Sequence, residues 1–269
     1  MPRNVTTTIE DGVAHLRLAR PDKLNALTLD MLDDLVAAAH GLSTDRTLRA
    51  VIVSGEGSAF CAGLDFGSAM RDQKGIIARF VPRPWRGTNT FQEAAWALRR
   101  LEVPVIAAVH GHCLGGGLQI ALAADFRITA PDATWSVLEA RWGIIPDMSG
   151  VHALSQLVGI DVAKKLTMTA EKVSGARARE IGLATEVATD PVVAAQALAD
   201  ELATRSPDAL ASAKRLFDGT WHASARRTFA RERIEQLGLL FGPNAQQART
   251  ANAERRAPEY LPRGRKIAR

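Results

Sequence analysis

The chain has 269 residues, enough to bury one sizeable core, and its 46% apolar and 23% charged residues exclude a fibrous or disordered protein. Two cysteines, Cys61 and Cys113, without CxxC spacing or a matching histidine pattern, argue against a disulfide framework and a metal site, and the lack of any apolar run of about 18 residues argues against a membrane span, so a cytoplasmic protein is expected. The net charge of +5 admits polyanionic partners such as RNA, a membrane surface or a phosphate-bearing ligand; its excess is local, at Arg226, Arg227, Arg231 and Arg233 and again at Arg255, Arg256, Arg263, Arg265, Lys266 and Arg269, a pattern that also fits a solvated helix face and a frayed tail.

From Val5 to Leu18 apolar and polar residues alternate about the turn pair Asp11-Gly12, which predicts two strands. Leu27, Met31, Leu32, Leu35 and Val36 then recur at helical spacing, with Thr28 as N-cap, and predict a helix to about His40. Ala50 to Ser54 reads as a short buried strand closed by Gly55 and Gly57. The stretch from Phe66 to Thr90, with its glycines, prolines, arginines, Phe80 and Trp85, reads as an irregular pocket wall or lid. Phe91 to Leu101 is helical until Pro104 stops it, and Val105 to Val109 is the next buried strand.

The unit then recurs. A helix is expected from Gly116 to Ala124, strands at Phe126 to Thr129 and Trp135 to Val137, and helices near Ser149 to Val158. Strands alternating with helices predict an α/β fold with parallel strands. Beyond Pro191 strand signals cease. Amphipathic helices follow at Val192 to Thr204, Pro207 to Thr220 and Ala223 to Leu240, and a last one begins at Pro243 and is ended by Pro258 and Pro262. The expected division is a core over 1–190 and a helical region over 191–269, as a subdomain or oligomerisation element.

Two turns could carry chemistry. In Ala107-Ala108-Val109-His110-Gly111-His112-Cys113-Leu114-Gly115-Gly116-Gly117-Leu118 a buried strand passes through glycines into a helix, whose free N–H groups favour developing negative charge; close strand–helix packing explains the glycines equally well. The run matches neither the phosphate loop GxxxxGK[ST] nor the dinucleotide GxGxxG. A second glycine turn, Phe60-Cys61-Ala62-Gly63-Leu64-Asp65, follows the strand at Ala50 to Ser54, so two backbone turns could face one carbonyl oxygen. His110 and His112 read as hydrogen-bonded residues at a strand end, and Trp135, Trp142 and Met148 as core or pocket lining.

Together with Arg20-Pro21 to Leu27, Pro104 to Val109, Trp142-Gly143-Ile144-Ile145-Pro146 and Ala178-Arg179-Glu180-Ile181-Gly182-Leu183, in this order, these turns make the sequence resemble the enoyl-CoA hydratase/isomerase, or crotonase, superfamily over most of its length. The resemblance implies a crotonase-like spiral of repeated ββα units with a C-terminal helical trimerisation region, assembly as a homotrimer or a dimer of trimers, and an acyl-CoA substrate whose coenzyme A is the only cofactor-like group. It implies an oxyanion hole from the N–H groups of Leu64 and Gly116, and a coenzyme A site at Lys23, Ala26, Ala62, Leu64 and Asp65. There the backbone near Ala62 and Leu64 would meet adenine, and Lys23 or the arginines of the tail the phosphates.

Family hydratases place glutamates at the positions of Gln119 and Glu139. An amide cannot exchange a proton near neutral pH, so the resemblance favours double-bond isomerisation with Glu139 as acid/base over hydration with Gln119 orienting a water. Asp147, where many hydratases have glycine, resembles a carboxylate of the family's dienoyl-CoA isomerases; it is equally placed to cap a helix near Ser149, and Glu139 by itself could be a first-turn helix carboxylate. The alternative of another class is an inactive acyl-CoA-binding or RNA-binding protein. The arginines lack interleaved aromatics, which argues against nucleic acid.

Overall fold

In the computed structural model, which describes residues 4–264, Asp11 and Gly12 turn the chain at positive φ between β1 (Val5–Glu10) and β2 (Val13–Leu18), an antiparallel pair. Thr28 accepts a hydrogen bond from the Met31 amide (3.2 Å) and starts α1 (Leu29–Thr44), which leads into β3 (Ala50–Gly55). The expected irregular stretch holds two helices, α2 (Phe66–Ala69) and α3 (Gln73–Phe80), before α4 (Thr90–Arg99). Asp65 and Asp72 nucleate them by accepting the Ser68 and Gly75 amides, local capping bonds that offset the low helical propensity of the glycines. A short turn at 70–72 separates the two helices, and the longer non-helical gap between α3 and α4 is closed by Asn89 and Gln92 with a reciprocal capping box.

The chain continues through β4 (Val105–Val109), β5 (His112–Leu114), α5 (Gly116–Leu122), β6 (Phe126–Thr129) and β7 (Thr134–Ser136), then α6 (Gly150–Leu157) and α7 (Ile160–Thr169). After β8 (Val173–Ser174), α8 (Gly175–Glu180) and β9 (Glu186–Val187) come four helices: α9 (Pro191–Ala203), α10 (Pro207–Thr220), α11 (Ala225–Leu240) and α12 (Pro243–Ala253). The strands β5, β8 and β9 and the helix α8 are too short for a period to be read from sequence, and α7 is a helix not anticipated from the sequence.

A six-stranded sheet in the order β1-β2-β3-β4-β6-β9 is parallel from β2 onward, and β5, β7 and β8 form a smaller sheet beside it. Alternation along β3 explains the layers. Val51 and Val53 point into the main core with Leu16, Leu32, Leu35 and Leu98, whereas Ala50 and Ile52 face the other side with Ile106, Ala108 and Ile128. That second face is covered by Ala195 and Ala199 of α9, so the expected boundary at 190/191 falls just before the helix that covers the outer side of the sheet. Arg263 is no part of a frayed tail: its side chain is buried, lies 3.4 Å from Glu102, and its amide donates to the Arg46 carbonyl. Arg265, Lys266 and Arg269 lie outside the described residues.

Candidate active site

Both glycine turns meet at the end of the sheet. The Cys61 amide donates to the His112 carbonyl (2.7 Å) and the Leu114 amide to the Cys61 carbonyl (3.0 Å), which lays the two turns side by side. On its other edge the Leu27 amide donates to Gly63 (2.8 Å) and the Asp65 amide to Leu27 (2.9 Å). A parallel bridge of this kind uses the groups flanking Leu64 and turns the Leu64 N–H to the opposite side. Gly63 (φ +93°) and Gly115 (φ +51°) hold backbone conformations that side chains resist, and a Cβ on Gly63 would stand 3.0 Å from the Leu114 carbonyl oxygen. Gly116 begins α5, where the N–H groups of the first turn have no partner within the helix. Among the described residues, neither the Leu64 nor the Gly116 amide donates to a protein acceptor.

The carboxylates come from the segment after β7. A 3-10 turn, Glu139–Trp142, ends at Gly143 in the left-handed region and carries the Glu139 side chain inward, where it is 6% exposed. Gln119 on α5 donates through Nε2 to Glu139 Oε1 at 2.6 Å, and its Oε1 accepts the amides of Met148 (2.8 Å) and Gly150 (3.0 Å). The second carboxyl oxygen, Glu139 Oε2, is buried without a hydrogen-bond partner. Burial pushes the Glu139 carboxyl above the usual carboxylate range and the nearby Asp147 adds to the shift, while hydrogen bonds from its own amide and from Gln119 oppose it. Burial likewise raises Asp147.

Asp147 is not the helix cap that its position also allowed. The residue preceding α6 is Ser149, at φ +70°, and no side chain caps that helix. Asp147 is left as a half-buried carboxyl close enough to Glu139 to disfavour its charge. The structure therefore brings Gln119, Glu139 and Asp147 together beside Gly116, whose missing Cβ would lie 2.9 Å from Met148 Sδ and 3.1 Å from Leu27 Cδ1.

Lys23, Ala26, Leu64 and Asp65 line one surface depression of about 460 Å³, together with Arg20, Phe66, Gly67, Arg71 and Trp142. Ala62, also expected there, does not line it; it is half-buried, and its amide donates to the Leu24 carbonyl at 2.9 Å. The Asp65 carboxylate is engaged within the protein, by the Ser68 amide and by Arg20 at 2.9 Å, which lower its pKa from the ordinary value. Asn25, at φ +55°, braces the same loop by donating to the carbonyls of Glu56 and Ala59 and accepting the Arg20 amide.

Phe66 and Arg71 come from the stretch expected to form a pocket wall and do line the depression, although neither stands out individually in the sequence. Trp142 and Met148, expected as core or pocket lining, are found as such: Trp142 is 58% exposed and stacks on Phe66, and Met148 is buried against Gly116. His110 follows its expected structural part, with its Nε2 3.0 Å from the Gly57 carbonyl. Among the described residues no cluster of three or more His, Cys, Asp and Glu could hold a metal ion, and no helix is long and apolar enough to cross a membrane.

Parallel strands, a paired glycine turn with two free amides and a buried glutamate define an α/β protein with a site at the end of its sheet, in an arrangement able to meet an oxyanion with backbone donors. The sequence signature of the enoyl-CoA hydratase/isomerase family matches residues 8–263, and the chain belongs to this family, with its crotonase-type fold. It is 35% identical over 216 residues to the mitochondrial Delta(3,5)-Delta(2,4)-dienoyl-CoA isomerase of Homo sapiens, covering 77% of this chain but 66% of that protein. To the short-chain-enoyl-CoA hydratase of Clostridium acetobutylicum it is 33% identical over 260 residues, covering 95% and 97%. The crystal structure of an enoyl-CoA hydratase from Bacillus anthracis superposes with a TM-score of 0.87 at 26% identity, over 96% of this chain and 99% of that one. The chain is thus an enzyme of the hydratase/isomerase type, and acyl-CoA is the substrate class of its family.

Proposed function

We propose that this enzyme isomerises a double bond in an enoyl-CoA thioester. The observation that carries the reading is Gln119: at the position of a hydratase glutamate stands an amide whose oxygen is engaged by two backbone N–H groups and whose nitrogen faces Glu139. One ionisable carboxyl is missing for the hydration of a double bond, and none is missing for its migration. Glu139 removes a proton from carbon 2 of a 3-enoyl-CoA, the N–H groups of Leu64 and Gly116 stabilise the dienolate oxygen, and the proton returns to carbon 4, leaving a 2-enoyl-CoA. Asp147 supplies a second proton-carrying group, which extends the same chemistry to a 3,5-dienoyl-CoA with return of the proton at carbon 6.

Coenzyme A enters as part of the substrate. The depression at Lys23, Ala26, Leu64, Asp65 and Trp142 suits its nucleotide end, with Lys23 and Arg71 toward the phosphates. Self-association through the helical region is part of the same proposal, supported by the exposed Phe217, Trp221, Leu237 and Phe241 of α10, α11 and their junctions. Two buried neighbouring thiols, Cys61 and Cys113, left unlinked, suit the reducing cytoplasm.

Hydration is the second reading, favoured by the near-complete match to the Clostridium short-chain-enoyl-CoA hydratase. Purified protein given crotonyl-CoA, a 3-enoyl-CoA and a 3,5-dienoyl-CoA separates the two. Turnover of either of the latter two, with crotonyl-CoA left largely untouched, is expected; hydration of crotonyl-CoA at an ordinary hydratase rate overturns the isomerase reading.

A further inference from the structure

We infer that Gln119 is a positioning residue that aims Glu139 at the substrate through a single oxygen, Oε2, and in the same act holds the backbone of residues 148–150. The inference rests on Glu139 being the base of the reaction proposed above. The orientation of the amide is forced. Its oxygen has two acceptor sites, and the Met148 and Gly150 amides take both, at 2.8 and 3.0 Å. Reversing the amide would set an NH₂ group against two N–H donors and lose both bonds, so the nitrogen has to face Glu139 Oε1, 2.6 Å away.

The consequence falls on the carboxylate. An oxygen that accepts an N–H bond at this distance is held in its deprotonated role, so a proton leaves and returns by the other oxygen. That oxygen, Oε2, is the one left buried without a partner. Oε1 is occupied by the Gln119 amide, so only Oε2 is left without a protein partner. Glycine at 150 is what admits the amide, since a Cβ there would come within 2.6 Å of Gln119 Cγ and Oε1. Asp147 is the other ionisable group acting on Glu139, and it sits on the segment that Gln119 fixes. Hence one side chain holds Glu139 and the segment that carries Asp147, and its N–H opposes, without cancelling, the upward push that burial and Asp147 exert on the Glu139 carboxyl.

A glutamate in this place would behave differently. One oxygen would take the two backbone amides and the other would confront Glu139 Oε1, and two carboxylates at such a distance share one proton. Exchange of a single atom therefore does not turn this site into one with two independent carboxylates.

Gln119→Met, of similar volume but without donor or acceptor, and Gln119→Glu, which keeps the acceptor for both backbone amides, test the inference. With a 3-enoyl-CoA, Gln119→Met is expected to lower kcat on the order of 100-fold with little change in KM, and to move the acid limb of the kcat profile to higher pH. Gln119→Glu, which keeps the acceptor for the Met148 and Gly150 amides and so holds that backbone where methionine cannot, is expected to move the limb the same way. The activity-independent readout is difference infrared spectroscopy of the unliganded protein, in which the protonated Glu139 carboxyl band is expected to persist to higher pH in both variants. An unmoved infrared titration, or a loss of thermal stability with kcat and its limb unchanged, overturns the inference. If the wild-type protein turns over no enoyl-CoA, the isomerase reading fails while the infrared titration still decides the part played by Gln119.

Discussion

Phe66 and Trp142 stack with ring centroids 4.7 Å apart and planes 19° apart, joining the first residue of α2 to the last residue of the turn that begins with Glu139. Both rings line the depression that holds Lys23 and Arg71. The mouth of the site and its buried carboxylate are thus mechanically one piece, three residues apart along a 3-10 turn. Such a ring pair is worth about 0.5–1.5 kcal/mol beyond its buried area. Trp142→Ala is expected to raise KM for acyl-CoA and lower kcat, together weakening kcat/KM by about 10-fold, and Trp142→Phe, which keeps the stack, to restore most of it. Steady-state kinetics on the two variants checks this; equal losses in both sink the idea that stacking matters.

Glu139 trades stability for chemistry. Its folded-state pKa is raised, so protonated glutamate is the form that folding prefers. Below the ordinary carboxylate range both states are protonated and nothing is lost; as pH rises from that range through the raised value, ionisation of the buried group costs stability, and the cost persists above it. Glu139→Gln should abolish turnover, yet melt about 2–4 °C higher than the wild type at neutral pH, with the gap closing in acid. Scanning calorimetry at both pH values checks the sign. A variant less stable at neutral pH would show that the site does not strain its base.

Two backbone positions beside the site should respond in opposite directions. Ser149 holds φ +70°, a backbone conformation that glycine adopts without strain. Ser149→Gly is expected to stabilise the fold by up to about 1 kcal/mol, the relief of the left-handed strain outweighing the added chain entropy. Gly117 sits in α5 against Cys61, where a Cβ would approach the Cys61 Cβ to 2.5 Å. Gly117→Ala should therefore destabilise by about 1–3 kcal/mol despite alanine's higher helical propensity. Chemical denaturation of the two variants gives both numbers.

His152 offers a second pH dependence, away from the carboxylates. Arg99 donates to Gln156 Oε1 at 2.6 Å and so directs Gln156 Nε2 to the Nε2 atoms of His152 (3.1 Å) and His222 (3.4 Å), which both accept. Burial first, then Arg99 and His222, push the His152 pKa down. For such a group stability is intact above the ordinary histidine value and is lost as pH falls below it. The thermal midpoint should drop on acidification from about pH 7 to about pH 5, and His152→Gln should shrink that drop. An identical drop in the variant would remove His152 from the acid transition.

What the sequence by itself determined were the features with local causes. The Asp11-Gly12 turn, the Thr28 cap and the buried run of β4 depend on neighbours within a few residues and are found at their expected places, while α1 starts as expected and runs to Thr44, four residues beyond its expected end. The glycines of the two turns were legible because only glycine tolerates their φ, and with the family's spacing they brought Leu64, Gly116, Gln119 and Glu139 into one expectation. α2 and α3 escaped because their capping aspartates look like ordinary loop residues until the chain closes around them. Only the tertiary structure decided what Gln119 and Asp147 are. The amide's orientation depends on backbone N–H groups 29 and 31 residues away, and the aspartate's release from capping on a positive φ at Ser149. Hydrogen bonds over such separations leave no period in the sequence, because their geometry is set by where the sheet and α5 place two distant segments, not by the residues on either side.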